Sequence, residues 1–364
     1  MKKKEMKHHP NYYIMAYLCR NLGDDLLVLS LLRRYPDVLF YLCVSPEESR
    51  AFEKEKNAIT PTKIEWYMLR LYHKLFHRDE LSIINYRFLN KCQAVIKIGG
   101  SIFIESENFN WKTFIPQKTH VIGANFEHDS SPQFYEKVRI KLSQIASCTF
   151  RDLYSYNLFC NLDNVSVAPD AVFSLDFHRE KKRGKGIAIS VICPERRTRL
   201  KNYSEYYYQI IAEVVDYCEL KKIPVALFGF CSYEKDDVAI EKIRTLVKTS
   251  VYPEVCVYDG DTDSFLDRLN SYESIIATRF HAMIIGWKLA KRVLPVIYSE
   301  KQVNVLNDIE YNGFSWNLLN RTPISGKELV EEALISSLMD RTDQLAIMAQ
   351  GQFSLFDSLT RSDG

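Results

Sequence analysis

Short apolar runs alternate along this chain with longer stretches in which apolar residues recur every third or fourth position. Tyr12–Leu18, Val38–Val44, Ala94–Ile98, Thr119–Ile122 and Ser147–Phe150 predict strands, because each is short, rich in β-branched or aromatic residues, and bounded by turn formers or polar residues. Asp24–Arg34 carries apolar residues at 26, 27, 29, 31 and 32 and predicts a helix, as do Ile64–His77 and the stretch from Leu153. Arg179–Gly186 (REKKRGKG) has no apolar side chain and predicts a linker. The alternation then restarts. Strands are predicted over Ile187–Ile192, Pro224–Gly229, Val255–Tyr258, Ser274–Ala277 and Val293–Val296. Helices are predicted near Tyr203–Leu220, Glu234–Lys248, Asp263–Leu269, Ala282–Ala290 and Val303–Asp308, and from Ser325 onward.

Such alternation implies an α/β fold with parallel, doubly wound sheets. The expected organisation is two Rossmann-like domains facing a central cleft: residues 1–178, a linker at 179–186, residues 187–324, and a helical C-terminal segment 325–364 with a frayed end. Ligands of such sheets gather beyond the strand C-termini, so the chemistry is sought in those loops.

Composition narrows the picture. The 364 residues suffice for about two domains. A net charge of +2 gives no general attraction to nucleic acid. No apolar run reaches the ~18 residues that span a bilayer. The basic tail Met1–His9 lacks a signal-peptide core and reads as a disordered end. Nine cysteines without a C-x-x-C pair, among them Cys43, Cys92, Cys218 and Cys256 in predicted elements, suit buried thiols in a reducing, cytoplasmic compartment. No zinc-ligand spacing, P-loop or G-x-S-x-G is present.

Arg279-Phe280-His281 is the most informative turn. It joins a predicted strand to a predicted helix and sets a guanidinium and an imidazole at a helix N-terminus, where free N–H groups favour an anion. Asn21-Leu22-Gly23-Asp24-Asp25 holds a similar place after the first strand; Asp24 caps the helix or meets a sugar hydroxyl. Gly99-Gly100-Ser101 ends another strand and lets backbone N–H groups face a ligand. Glu127 and His128 follow Ile122 in a polar loop. Asp152 reads as a helix cap and Pro169-Asp170 as a turn. Arg196, Arg197 and Arg199 crowd the first loop of the second half, where one of them could clamp a carboxylate or phosphate. In Lys63–Arg78 one helical face carries Ile64, Met68, Leu71 and Leu75, with Trp66, Arg70, His73 and His77 roughly opposite. A core helix with a basic outer face is one reading, and peripheral membrane contact is the other.

Five motifs in order resemble the polysaccharide pyruvyl transferase family: Asn21-x-Gly23-Asp24, Ile98-Gly99-Gly100-Ser101, Arg151-Asp152-x-x-Ser155, Pro169-Asp170-Ala171-Val172-Phe173 and Thr278-Arg279-Phe280-His281-Ala282. The resemblance spans about residues 12–300 and implies a GT-B-like fold. It implies phosphoenolpyruvate as donor, with no other cofactor and no metal, and a surface-polysaccharide sugar, free or lipid-linked, as acceptor. Arg279 and His281 match the family's donor-binding R-x-H motif, and Arg196 or Arg197 a further donor arginine. Asp24 or Glu127 would act as base; the expected catalytic set is His281, Arg279 and Asp24, and the expected substrate-binding set is Arg196, Arg197, Asn21, Gly23, Gly99, Gly100, Ser101 and Glu127. Two other readings stay open: a GT-B glycosyltransferase using a nucleotide sugar, and a non-catalytic sugar-binding member. The expected place is the cytoplasm or the inner membrane face.

Overall fold

The apolar runs assemble into two parallel sheets. The structure, a computed structural model, describes residues 11–76, 92–180, 184–249 and 253–361. Its chain divides into two units: residues 1–18, 24–175 and 348–364 form the first, and residues 19–23 and 176–347 the second.

The first unit holds β1 (Asn11–Met15), β2 (Leu39–Leu42), β3 (Ala58–Ile59), β4 (Ala94–Ile98), β5 (Thr119–Ala124), β6 (Ser147–Phe150) and β7 (Val165–Val167), in the order β3-β2-β1-β4-β5-β6-β7. All described pairings in it are parallel. Strands β5 and β6 are buried throughout, as expected of parallel strands covered on both faces. The strand order reverses direction between β1 and β4, so the loops after these two strands flank the unit's switch point.

The second unit repeats the plan with β8 (Ile187–Ser190), β9 (Val225–Gly229), β10 (Glu254–Val257), β11 (Ser274–Ala277), β12 (Arg292–Ile297) and β13 (Trp316–Asn317), in the order β10-β9-β8-β11-β12-β13. Ala277 lies opposite Ser190 in the β11–β8 register, so the loops after β8 and β11 leave the sheet side by side at its switch point. Helix Ser204–Leu220 covers this sheet with Tyr207, Ile211, Val214, Val215 and Cys218, which recur at helical spacing and are all buried. Trp316 stacks on Tyr207 with ring centroids 6.1 Å apart.

The C-terminal residues group differently from the expected separate segment. Residues 348–364 belong to the first unit. The Gln352 amide donates to the carbonyls of Phe150 (3.0 Å) and Ala168 (2.6 Å) and accepts from Gly123 N–H (2.9 Å), satisfying three backbone groups of the sheet. Asp357 accepts from Arg34 (2.7 Å) and from the Tyr35 hydroxyl (2.6 Å), and Phe356 packs edge-on against Tyr12. In the expected linker, Arg179 is fixed in the second unit by Asp263 and Asp267, while 181–183 lie outside the described residues, as does the tail Met1–His9. All nine cysteines are free.

Candidate active site

Four loops at the C-terminal edge of the second sheet bring the charged side chains together. Arg279 is the N-cap of helix Phe280–Lys288, and its backbone N–H donates to Ser190 Oγ at 3.0 Å, tying the β11 exit to the end of β8. Behind it, Tyr207 bonds Thr278 Oγ1 at 3.1 Å. Arg279 is only 6% exposed, and two carboxylates engage its guanidinium. Nε donates to Asp236 Oδ2 at 2.9 Å, Nη2 donates to Asp236 Oδ1, and Nη1 donates to Glu234 Oε2 at 2.6 Å. Asp236 Oδ2 also accepts the backbone N–H groups of Phe230 and Cys231, both at 2.9 Å. The guanidinium fork is thus matched bidentately inside the protein.

Glu234 is shared. Its Oε2 also accepts from Arg197 Nη2 at 2.5 Å, and the Arg197 guanidinium lies over the Tyr298 ring, 5.1 Å from its centroid. Lys301 Nζ sits 5.6 Å from the same ring and 5.8 Å from that of Phe280. Arg279, Arg197 and Lys301 against Glu234 and Asp236 leave a net excess of one positive charge. Burial disfavours the ionised Glu234, yet Arg279 and Arg197 outweigh it and hold its pKa at about 2. Burial likewise opposes the charge on Arg279, and Asp236 and Glu234 more than offset it. Burial pushes the Asp236 carboxyl up while Arg279 pulls it down. For Tyr298, burial would raise the phenol, but Lys301, Arg197 and Arg279 together lower it. The cluster therefore favours added negative charge, at a helix N-terminus that favours it too.

His281 is the second residue of that helix, and Gly23 abuts it. A Cβ at position 23 would overlap the imidazole at Nδ1, so only glycine permits this approach. Gly23 and Asn21 are grouped with the second unit, where Leu22 N–H donates to Phe230 O at 3.1 Å and Asn21 bridges Cys231. The first and last of the five motifs thus meet. Asn21, not Asp24, precedes helix Leu22–Arg34 and accepts Gly23 N–H at 3.2 Å; Asp24 and Asp25 lie inside the first turn, where the helix dipole favours them.

The middle motifs meet in the first unit. Arg151, 3% exposed, donates to Asp170 Oδ2 (2.9 Å) and Asn125 Oδ1 (2.8 Å), and a Cβ at Gly100 would run into its guanidinium. Asp170 Oδ1 accepts Val172 N–H, Asp152 caps its helix through Ser155 N–H, and Ser155 Oγ accepts Phe126 N–H. These residues knit the exits of β4, β5 and β6. A Cβ at Gly99 would lie 3.8 Å from Asp24 Oδ1, Ser101 is exposed, and Glu127 accepts Glu105 N–H at 3.2 Å.

The structure separates the two expected arginines: Arg197 joins the charged cluster, whereas Arg196 is exposed. Sequence reasoning missed Glu234, Asp236, Tyr298 and Lys301. The available signal was position, since Glu234 and Asp236 follow β9 and Tyr298 follows β12. Among the described residues, no group of three or more His, Cys, Asp or Glu is placed to hold a metal ion, and no helix is long and apolar enough to cross a membrane.

Residues 21–300 match the family model described as polysaccharide pyruvyl transferase. The chain belongs to the polysaccharide pyruvyl transferase family. Among curated proteins none matches it. Solved structures similar to this pyruvyl transferase family member include Anabaena Alr3699/HepE in complex with UDP-glucose, with 10% identity, a TM-score of 0.58, and coverage of 96% of this chain and 100% of that one. Another is UDP-GlcNAc 2-epimerase from Neisseria meningitidis bound to UDP-GlcNAc, at 10% identity and TM-score 0.56, covering 96% and 99%. A third is Medicago truncatula UGT71G1 complexed with UDP-glucose, at 9% identity and TM-score 0.54, covering 98% and 99%. They place this family member in the GT-B fold, with two Rossmann-like units.

Proposed function

We propose that this transferase moves the pyruvyl group of phosphoenolpyruvate onto two hydroxyls of a sugar in a cell-surface polysaccharide or its lipid-linked precursor. The products are a cyclic ketal and phosphate. One observation carries the reading within the family: the net-positive cluster of Arg197, Lys301 and the doubly paired Arg279 stands at the helix N-terminus that bears His281. Phosphoenolpyruvate is a small polyanion with phosphate and carboxylate on one enol carbon, and that frame suits it.

In this reading Arg197 and Lys301 take the anionic groups. Arg279, anchored by Asp236, holds Glu234, the carboxylate that orients Arg197, and is a positioning residue. His281 supplies a proton to the methylene carbon. The first acceptor hydroxyl then bonds to the enol carbon and loses its proton; Asp24, next in the chain to Gly23, is the proposed base. The C–O bond to phosphate breaks, and the second hydroxyl closes the ring and releases the second proton. Positioning and charge stabilisation supply the rate. A cytoplasmic enzyme working at the inner membrane face on a lipid-linked acceptor belongs to the same reading.

Thermal denaturation with phosphoenolpyruvate or UDP-glucose tests the donor. Stabilisation by phosphoenolpyruvate, lost in Arg197→Ala, is expected. Stabilisation by UDP-glucose alone would overturn the donor assignment in favour of a nucleotide-sugar glycosyltransferase.

A further inference from the structure

Helix Lys63–Phe76 of the first unit presents its apolar stripe outward. Ile64, Tyr67, Met68, Leu71 and Leu75 are between 45% and 73% exposed. They recur every third or fourth residue, the spacing that normally faces a core. Lys63, Arg70 and Lys74 are exposed beside the stripe. Glu65 is engaged at the helix start: its carboxylate accepts the Thr62 N–H and hydroxyl, both at 2.8 Å, and its own N–H donates to Thr62 Oγ1. That capping box fixes the helix start.

We infer that this helix docks the protein onto an anionic phospholipid surface, apolar stripe inward and the three cations at headgroup level. A 14-residue helix is roughly 21 Å long, too short to span a ~30 Å hydrocarbon core but suited to lying in the interface. Tyr67, 69% exposed within the stripe, supplies the aromatic residue of an interfacial anchor. Charge complementarity selects lipid over a second copy of the chain. A two-fold contact through this face would oppose Lys63, Arg70 and Lys74 to the same three cations, whereas acidic headgroups neutralise them. The inference deepens the lipid-linked-acceptor part of the proposed function and rests on it for its biological sense, but the docking itself needs neither donor nor acceptor.

The test is co-sedimentation of the full chain with extruded vesicles of phosphatidylcholine alone or with about one-third phosphatidylglycerol. Expected is binding to the anionic vesicles only, weakening with salt. Met68→Ser with Leu71→Ser should abolish binding. Lys63→Gln, Arg70→Gln and Lys74→Gln together should weaken it about 10²-fold, roughly fivefold per cation. Both variants should keep the wild-type circular dichroism and phosphate release with a soluble acceptor. Wild-type protein left in the supernatant with anionic vesicles, or equal binding by the Ser variant, overturns the inference. So does a wild-type dimer by light scattering that the Ser variant abolishes without any vesicle binding, which would assign the face to a second copy. Failure of phosphate release with vesicle binding intact would instead fault the catalytic reading.

Discussion

Replacing Asp236 with Asn keeps the side chain's shape and removes its charge. Asp236 Oδ2 accepts three N–H groups, from Phe230, Cys231 and Arg279 Nε, and Oδ1 accepts Arg279 Nη2. An amide oxygen at the Oδ2 position keeps the first three bonds but turns an NH2 toward Nη2, donor against donor. Flipping the amide breaks three bonds to restore one. The variant thus leaves the buried Arg279 with Glu234 as its remaining charged partner. Breaking a buried ion pair costs about 3–5 kcal/mol, against about 5–15 kcal/mol for a whole domain. At about 2–4 °C per kcal/mol for a unit of this size, the melting temperature should fall by roughly 6–20 °C. Glu234 would then turn toward Arg279, Arg197 would lose its orienting carboxylate, and affinity for phosphoenolpyruvate should fall at least tenfold. Calorimetric melting and titration of the folded variant below its transition measure the two effects separately. Unchanged melting and unchanged donor affinity in Asp236→Asn would refute the view that this carboxylate sets the cluster's geometry.

Gly23→Ala sets a methyl group against the His281 ring; turnover should fall about 10²-fold with a melting shift of only a few degrees, as steady-state kinetics beside calorimetry will show. Arg197→Ala should raise the KM for phosphoenolpyruvate at least tenfold, while the exposed Arg196→Ala leaves it within about twofold. His120 is buried, bonds Ser147 Oγ at 2.7 Å, and burial takes its pKa down from 6.5 to about 4. Between these values the unfolded chain binds the proton that the folded one refuses, so stability is lost as pH falls through this window, by up to about 3 kcal/mol. His120→Gln should flatten urea midpoints measured from pH 7 to pH 4.

The elements that were legible in the sequence were those whose side chains repeat a period. Ser274–Ala277 and Ala94–Ile98 appear with the expected bounds. Strands β3, β7 and β13 were not read, because two or three residues carry no period and their pairing comes from a neighbouring strand. The predicted helix from Glu234 starts instead at Asp236, since Lys235 takes a left-handed conformation that no lysine advertises. That single turn separates Glu234 from the helix and lets both carboxylates meet Arg279. The R-x-H turn was legible as a charged helix N-terminus, but its guanidinium's partners come from another loop and left no local trace. The helix Lys63–Phe76 shows the converse: its period was plain, yet the same period serves a core or an outer face, and only the exposure of Ile64 and Met68 shows which. Of the opposite face read there, His77 lies outside the described residues, as does Arg78 at the segment's end.

The most direct test of the central claim is phosphate release from phosphoenolpyruvate by the purified protein in the presence of lipid-linked and free oligosaccharide acceptors, with mass spectrometry of the acceptor. One phosphate should be released for each acceptor that gains a pyruvate less one water, and both signals should be lost in a folded His281→Ala variant. Equal phosphate release and equal acceptor modification by wild type and His281→Ala would contradict it.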